Sequence, residues 1–516
     1  MSSGVTSETR WAWKIPLALA AVKLALSLAV VGRYGYFRDE LYYLASTRHL
    51  ALGYVDHPPF SIALLALIRG VFGDSLLALR IVPMLAGAVL VVVAGCIAFE
   101  LGAGGFGQFL AALCVLAAPM YLGSHHAYSM NGIDQLVWST AALVLVRILK
   151  GSGCVSWTML GVLLGIGLLN KISVLWLIGG LALGLALTQR RTILLTRGPW
   201  IALAIAAVMF APHVAWQIAH GWPTLEFIRN AAEQKNAPTS VLDFLGTQVM
   251  VMNPATAPVW IAGIAWSLFA RDGRPWRFLA IAFLAVLVSF AASGSSKAHY
   301  MAPAYPTMFA AGAVAIERFT AAGAPRSALA WAIVALVIAF GTISAPFALP
   351  LLAPDAFVRY MRALGRTPQA EERSGVGELP QHYADMFGWD ELAEKVARAY
   401  RALPPEDRAR CSIFAQNYGE AGALEVLGPR YGLPEERTLS GHNAYWMWGP
   451  RGQTGEVMIV IGGELRDNQQ FFESVERVDT LRCEHCMPYE RDLPIYLCRK
   501  IKIPLAEAWP RLKHFI

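Results

Sequence analysis

Two adjacent carboxylates, Asp39 and Glu40, stand directly after the first strongly apolar segment, in the stretch Tyr36-Phe37-Arg38-Asp39-Glu40-Leu41-Tyr42-Tyr43-Leu44. A little further on, Tyr54-Val55-Asp56-His57-Pro58-Pro59-Phe60 adds another acid and an imidazole. Carboxylates at the end of a membrane span, among aromatics that favour the headgroup level, are costly unless they face water, protein or substrate. A carboxylate within hydrogen-bond reach of a hydroxyl is the equipment of a general base. The structural alternative is that Asp39 caps a short helix beginning at Glu40, since Asp is a favoured N-cap and acids suit a first turn. The two roles are compatible.

The elements that must position these groups are membrane spans. Of 516 residues, 56% are hydrophobic and 15% charged, with a mean hydropathy of +0.45, which describes a polytopic membrane protein with a more polar tail. The net charge of +7 does not indicate nucleic acid, because the basic residues are spread between apolar runs rather than gathered in one patch. Seven cysteines are too few for a disulfide scaffold, and Cys96, Cys114 and Cys154, in or beside apolar segments, read as small packing residues. The first span is expected to act as an uncleaved anchor.

Apolar runs predict helical spans at about 13–31, 79–100, 107–122, 132–148, 155–169, 174–187, 199–217, 254–270, 278–293, 300–316 and 328–347, roughly eleven in all. With the amino terminus, Arg10 and Lys14 in the cytoplasm, the basic loops holding Arg147 and Lys150, Arg190, Arg191 and Arg197, Arg271, Arg274 and Arg277, and Arg318 and Arg326 fall on that same side, as the positive-inside rule requires. The unusual polar residues then collect on the other side: Asp39, Glu40, Asp56, His57, the run from His125 and His126 to Asp134, Asn170-Lys171, Gln217, His220, Glu226, and Lys297, His299 and Tyr300. A channel or alternating-access transporter places ionisable groups near midspan. The asymmetry here points instead to a site meeting the membrane from outside.

Residues 40–52 read as an amphipathic interfacial helix, and Pro58-Pro59 opens a second at about 59–72. The long loop at about 218–253, with Trp222, Glu226, Lys235 and Asp243, is a candidate lid. After Pro350 the composition turns polar, predicting a boundary between a transmembrane domain at 1–350 and an extracytoplasmic α/β domain at 351–516. Strands are expected at 411–415, 456–462 and 494–499, and helices at 390–402, 418–428 and 469–478. Gly419-Glu420-Ala421-Gly422 is too loose for a dinucleotide fingerprint. Cys483-Glu484-His485-Cys486 is compatible with half a zinc site, a redox pair or a disulfide, with disulfide or thiol roles favoured over metal.

The Asp-Glu pair after the first span, the interfacial helix, His57-Pro58-Pro59, Asp134 at the mouth of a later span and Gly167-Leu168-Leu169-Asn170-Lys171 together resemble the GT-C membrane glycosyltransferases. The nearest likeness is to the glycosyltransferase family 39 group, with its protein mannosyltransferases and bacterial aminoarabinose transferases, over about residues 13–347. The tail is similar to domains appended to bacterial members, and the β-trefoil insert of the eukaryotic protein mannosyltransferases is missing. The resemblance implies an integral enzyme of the cytoplasmic membrane that takes a sugar from a polyprenyl phosphate and passes it to a glycan, glycolipid or protein outside. Asp39 would be the acceptor-activating base and Glu40 its neighbour in acceptor binding or loop structure. A leaving lipid phosphate needs positive charge or metal beside it, for which Lys297, His299, Tyr300 and Lys171 are the candidates. Asp134, His57, Asp56 and Glu226 would bind acceptor or orient loops. A divalent ion held by Asp134, Asp39 and His125 or His126 is the alternative to purely cationic stabilisation. A transporter or flippase of lipid-linked sugars and a noncatalytic scaffold are the competing function classes. Transfer predicts an outer cluster dominated by Asp39.

Overall fold

The computed structural model of the protein describes residues 11–151, 154–321, 323–370 and 372–516. Arg10, used above for orientation, and the Cys154 side chain lie outside the described residues. The apolar runs are helical: Lys14–Val30, Leu76–Glu100, Gly105–Ala117, Met130–Leu149, Cys154–Asn170, Val174–Ala186, Arg197–Ala219, Ala257–Phe269, Arg277–Ala292, Tyr305–Thr320 and Ala324–Ser344. By length and composition, five helical segments among the described residues can cross a membrane, or six if Val241–Val251 and Pro254–Phe269, bent by 96°, form one broken span. Gly105–Ala117, Trp157–Asn170 and Val174–Ala186 are shorter apolar helices. The chain is a multi-pass helical membrane protein with a small sheet near its carboxy terminus.

The chain divides into two compact units. One holds Met1–Val31, Arg80–Val214 and Pro238–Leu351; the other holds Gly32–Leu79, Ala215–Ala237 and Leu352–Ile516. The boundary expected after residue 350 is therefore crossed twice, because the first long loop and residues 215–237 fold with the tail. The reason is burial. The expected 40–52 helix is the nine-residue helix Arg38–Ser46, too short to persist alone, and its Leu41, Tyr42, Tyr43, Leu44 and Ala45 are all buried. The second helix, Phe60–Phe72, follows Pro59 as expected.

In the first unit, backbones touch where side chains vanish. A Cβ on Gly312 would run into the Val259 carbonyl, and one on Gly263 into the Met308 carbonyl, so Ala257–Phe269 and Tyr305–Thr320 pack at the distance only small residues allow. Polar side chains close the remaining gaps. Buried Asn253, at the bend of the broken span, donates to the carbonyls of Ala117 at 3.2 Å and Val337 at 2.9 Å. The Glu317 carboxylate accepts from the Gly104 and Gly107 amides at 2.6 and 3.0 Å, supplying negative charge to the start of Gly105–Ala117 where amides lack partners.

In the second unit, five strands form one sheet: β1 (Cys411–Ala415), β2 (Thr438–Ser440), β3 (Val457–Ile461), β4 (Phe472–Arg482) and β5 (Asp492–Ile501), in the order β2-β1-β3-β5-β4. β1 runs parallel to β2 and β3, while β5 is antiparallel to both β3 and β4. Helices Trp389–Arg401 and Tyr418–Leu427 lie where expected. The helix expected at 469–478 does not: a short helix, Leu465–Phe471, gives way to β4. Glu and Arg favour a helix there by propensity, but Phe472 and Leu481 are buried against the sheet, and pairing with β5 outweighs the local preference. The exposed Glu473, Glu476 and Arg477 leave this edge strand charged, which discourages pairing with another chain. Cys483 and Cys486 form a disulfide, and Cys411 and Cys498 are buried free thiols on β1 and β5.

Replacing Gly312 by Val forces the two contacting helices apart and is expected to destabilise the detergent-solubilised protein by about 1–3 kcal/mol, the usual cost of overpacking. A melting temperature equal to that of the wild type contradicts this account of the packing.

Candidate active site

Arg38 begins the Arg38–Ser46 helix, and the side chain at its third position, Glu40, reaches back to accept the Phe37 amide at 2.9 Å. The capping role considered for Asp39 therefore belongs to Glu40, because the helix starts two residues earlier than expected. Glu40 is wholly buried. Asp39, one position nearer the start, keeps 34% of its side chain exposed.

The two carboxylates consequently differ in chemistry. Oδ1 of Asp39 accepts the Tyr418 hydroxyl at 2.9 Å and lies 3.7 Å from Arg38 Nε; Oδ2 makes neither contact. Arg38 is buried and held on several sides. Its amide donates to the Asp385 carbonyl at 2.9 Å, Nη1 donates to the Tyr489 hydroxyl at 2.9 Å, Nη2 lies 3.5 Å from the Asp385 carboxylate, and the guanidinium sits 5.3 Å from the Tyr418 ring centre.

Around this cation lie three deeply buried acids, Asp385, Glu420 and Glu490. Burial raises Asp385, opposed by Arg38. Burial likewise raises Glu490, reinforced by Asp385 and Glu420, and pushes Glu420 up to about 7 against hydrogen bonds from Gln416 and Asn417. Low dielectric disfavours the charged form of each.

Asp56 and His57 lie among buried tyrosines. Asp56 Oδ1 accepts the Tyr42 hydroxyl at 2.9 Å and lies 3.9 Å from His57 Nε2. The His57 ring is buried between Tyr43 and Tyr54, with centroids at 4.7 and 4.9 Å. Glu226 sits apart from these, on the rim of an open concavity of about 440 Å³, paired with Lys513 at 2.6 Å.

The remaining sequence candidates belong to the other unit. Lys171 Nζ donates to Asn131 Oδ1 at 2.7 Å, lies 3.8 Å from Asp134 Oδ2, and stands 5.5 Å from the Tyr300 ring centre. Asp134 Oδ1 accepts from Ser173 Oγ at 2.7 Å. Half-buried Lys297 precedes the short turn Ala298–Tyr300, in which His299 and Tyr300 meet edge to face at 4.6 Å. Lys171, Asp134 and Tyr300 are thus brought together. His125 Nδ1 contacts the Tyr121 carbonyl at 2.6 Å. Among the described residues no group of three or more His, Cys, Asp or Glu is gathered to hold a metal ion.

Sequence reasoning passed over Arg38 as a structural centre and missed Tyr418, Tyr489 and Asp385. The one available signal was the Gly419/Gly422 spacing, which marks a close backbone approach. It also passed over Lys23 and Arg80, buried cations that donate to the Tyr121 and Val31 carbonyls at 2.8 and 2.7 Å.

Comparison with known proteins bears out the resemblance read from the motifs. Residues 56–216 match the family model for dolichyl-phosphate-mannose-protein mannosyltransferase, a region that includes His57, Asp134 and Lys171. The fold is similar to that of ArnT from Cupriavidus metallidurans bound to undecaprenyl phosphate, with a TM-score of 0.61 at 16% identity over 94% of this chain and 97% of that one. The apo state of the same protein gives 0.57 at 17% identity, with the same coverage of both chains. The oligosaccharyltransferase of Archaeoglobus fulgidus, tethered with an acceptor peptide, gives 0.52 at 12% identity over 80% of this chain and 63% of that one. Curated protein sequences give no match. The fold is thus similar to that of ArnT over nearly the whole of both chains, and residues 56–216 resemble the protein-mannosyltransferase family.

Because Glu420 is raised from an ordinary carboxyl value of 4.5 to about 7, the folded chain keeps a proton between those values that the unfolded chain has released. The associated stability is present below pH 4.5 and lost as pH rises through 7. Glu420→Gln is expected to flatten the unfolding midpoint against pH across that window. An unchanged slope contradicts the assignment.

Proposed function

We propose that this chain is a membrane glycosyltransferase that moves a sugar from a polyprenyl phosphate to an acceptor hydroxyl on a glycan, glycolipid or protein at the outer face of the cytoplasmic membrane. The observation that carries this reading is the environment of Asp39. It alone of the adjacent acid pair is partly open to solvent, with one oxygen held and the other outside those contacts.

In this reading the acceptor oxygen attacks the anomeric carbon of the donor, the carbon–oxygen bond to the phosphate breaks, and the lipid phosphate departs with the electron pair. Asp39 takes the acceptor's proton, and attack opposite the leaving group inverts the anomeric configuration. Lys297, His299, Tyr300 and Lys171 take the phosphate-binding role, since charge develops on the leaving oxygen. Glu40 has a structural share, holding the start of the helix that carries Asp39. Asp134 orients Lys171, and Asp56 with His57 braces the loop; Glu226, on its own open concavity, is the acceptor-side candidate. Support for a lipid-phosphate donor comes from the undecaprenyl phosphate bound to ArnT and the dolichyl phosphate in the matched family's description. Basic residues in alternate loops support an extracytoplasmic tail.

The test is to incubate the purified protein with a panel of polyprenyl-phosphate sugars and an acceptor extract, and to measure release of the lipid phosphate together with sugar transfer. Asp39→Asn is expected to lower the rate by about 100-fold or more while the protein stays folded and inserted. Near-normal transfer by that variant removes Asp39 from the reaction, and movement of intact donor across vesicles without transfer replaces the reading with a flippase.

Lys297→Ala is expected to raise the donor KM by roughly 10-fold, the scale of one lost charge-assisted hydrogen bond, with the acceptor KM unchanged. Equal effects on both substrates contradict a phosphate role.

A further inference from the structure

The motif Gly419-Glu420-Ala421-Gly422, too loose for a nucleotide site, has a different use. It opens the helix Tyr418–Leu427, whose N-cap Asn417 accepts the Gly419 and Glu420 amides at 2.8 and 2.9 Å. The two glycines lie against the helix that carries Asp39. A Cβ on Gly419 would enter the Arg38 side chain, and one on Gly422 would fall 2.8 Å from the Leu41 carbonyl carbon and 3.0 Å from the Tyr42 nitrogen. Only glycine lets the two backbones approach this closely. That approach fixes how far Tyr418, the first residue of the tail helix, stands from Asp39.

Tyr418 is itself held on every side. Its ring packs against Tyr42 at 4.8 Å and His442 at 4.7 Å, with the Arg38 guanidinium at 5.3 Å and Lys235 Nζ at 5.9 Å. Burial raises its phenol well above the ordinary value, with Arg38 opposing, so the group remains a hydrogen-bond donor. Its hydroxyl is directed at one atom, Asp39 Oδ1. A rigid donor on one carboxylate oxygen fixes the plane of the group and leaves the second oxygen to accept a proton from elsewhere.

We propose that Tyr418 is a positioning residue for sugar transfer: its hydroxyl locks Oδ1 of Asp39 so that Oδ2 is the oxygen presented to the acceptor hydroxyl. The inference rests on the reading of Asp39 as the base. It makes the carboxy-terminal α/β segment part of the catalytic apparatus, and the Gly419/Gly422 face is the device that brings Tyr418 into range.

The experiment is a double-mutant cycle of Tyr418→Phe and Asp39→Asn, read by single-turnover transfer with donor binding measured in parallel. Tyr418→Phe keeps the ring and removes only the hydroxyl. It is expected to lower kcat by about 10-fold, the consequence of losing one hydrogen bond to a charged group, while donor affinity stays within about twofold of the wild type. In the Asp39→Asn background the same change is expected to cost nothing further, because a residue acting through Asp39 has nothing left to orient. If Asp39→Asn abolishes transfer while Tyr418→Phe leaves kcat at the wild-type value per donor-binding-competent molecule, the positioning role is overturned and the base assignment stands. Losses that multiply in the double variant overturn it also. If Asp39→Asn transfers normally, the base assignment itself falls and the positioning role falls with it.

Discussion

A buried guanidinium is the constraint on which the carboxy-terminal unit depends. Removing Arg38 from water costs several kcal/mol unless its donors and its charge are met. The charge is met by the neighbouring Asp39 at 3.7 Å and, from far along the chain, by Asp385 at 3.5 Å, while Nη1 donates to the Tyr489 hydroxyl at 2.9 Å and the Tyr418 ring lies 5.3 Å away. No local arrangement of the first long loop supplies Asp385, Tyr489 or Tyr418. The loop therefore folds with the tail, and the same contacts that satisfy Arg38 bury the apolar face of a helix too short to stand alone. Three buried acids around one cation exceed what that cation can neutralise, and the surplus is absorbed by raised carboxyl values at Asp385, Glu420 and Glu490. Asp39 is the carboxylate beside Arg38 that retains contact with solvent.

The other unit solves a different problem. Apolar helices in lipid gain nothing from hydrophobic burial against one another, so their packing relies on close backbone contact and on polar groups satisfied inside the bundle. Gly263 and Gly312 provide the first, while Asn253 and Glu317 provide the second. The cluster of Lys171, Asn131, Asp134 and Ser173 follows the same economy of polar groups. Lys171 meets an amide oxygen at hydrogen-bond distance and a carboxylate somewhat further away. These contacts fix the cation in place.

Much of this was legible in the chain because lipid imposes a simple rule: apolar runs become helices, and the eleven runs did. The Asp-Glu motif, the proline that opens Phe60–Phe72 and the polar character of the tail were readable for equally local reasons. What escaped was non-local. Residues 469–478 have helical composition and become strand because β5 offers a ladder. Glu40 rather than Asp39 answers the Phe37 amide because the helix begins at Arg38, a boundary set by the Asp385 carbonyl accepting the Arg38 amide from far along the chain. Tyr418 carried no chemical signature of its own, and only the flanking glycines recorded that another backbone lies close by.

The pair Asp39-Glu40 shows why adjacency in sequence is a poor guide to role. Successive residues of a helix point about 100° apart, so two identical functional groups enter different surroundings at once. Glu40 turns back on its own helix start, is removed from water and spends an oxygen on a backbone amide. Asp39 turns toward the tail, where a phenol and a guanidinium occupy one oxygen while part of the side chain stays open. Environment, rather than residue type, separates a structural acid from one able to accept a proton. Since the separating groups, Tyr418 and Asp385, lie in the tail, the character of the motif is decided by a part of the chain that does not contain it.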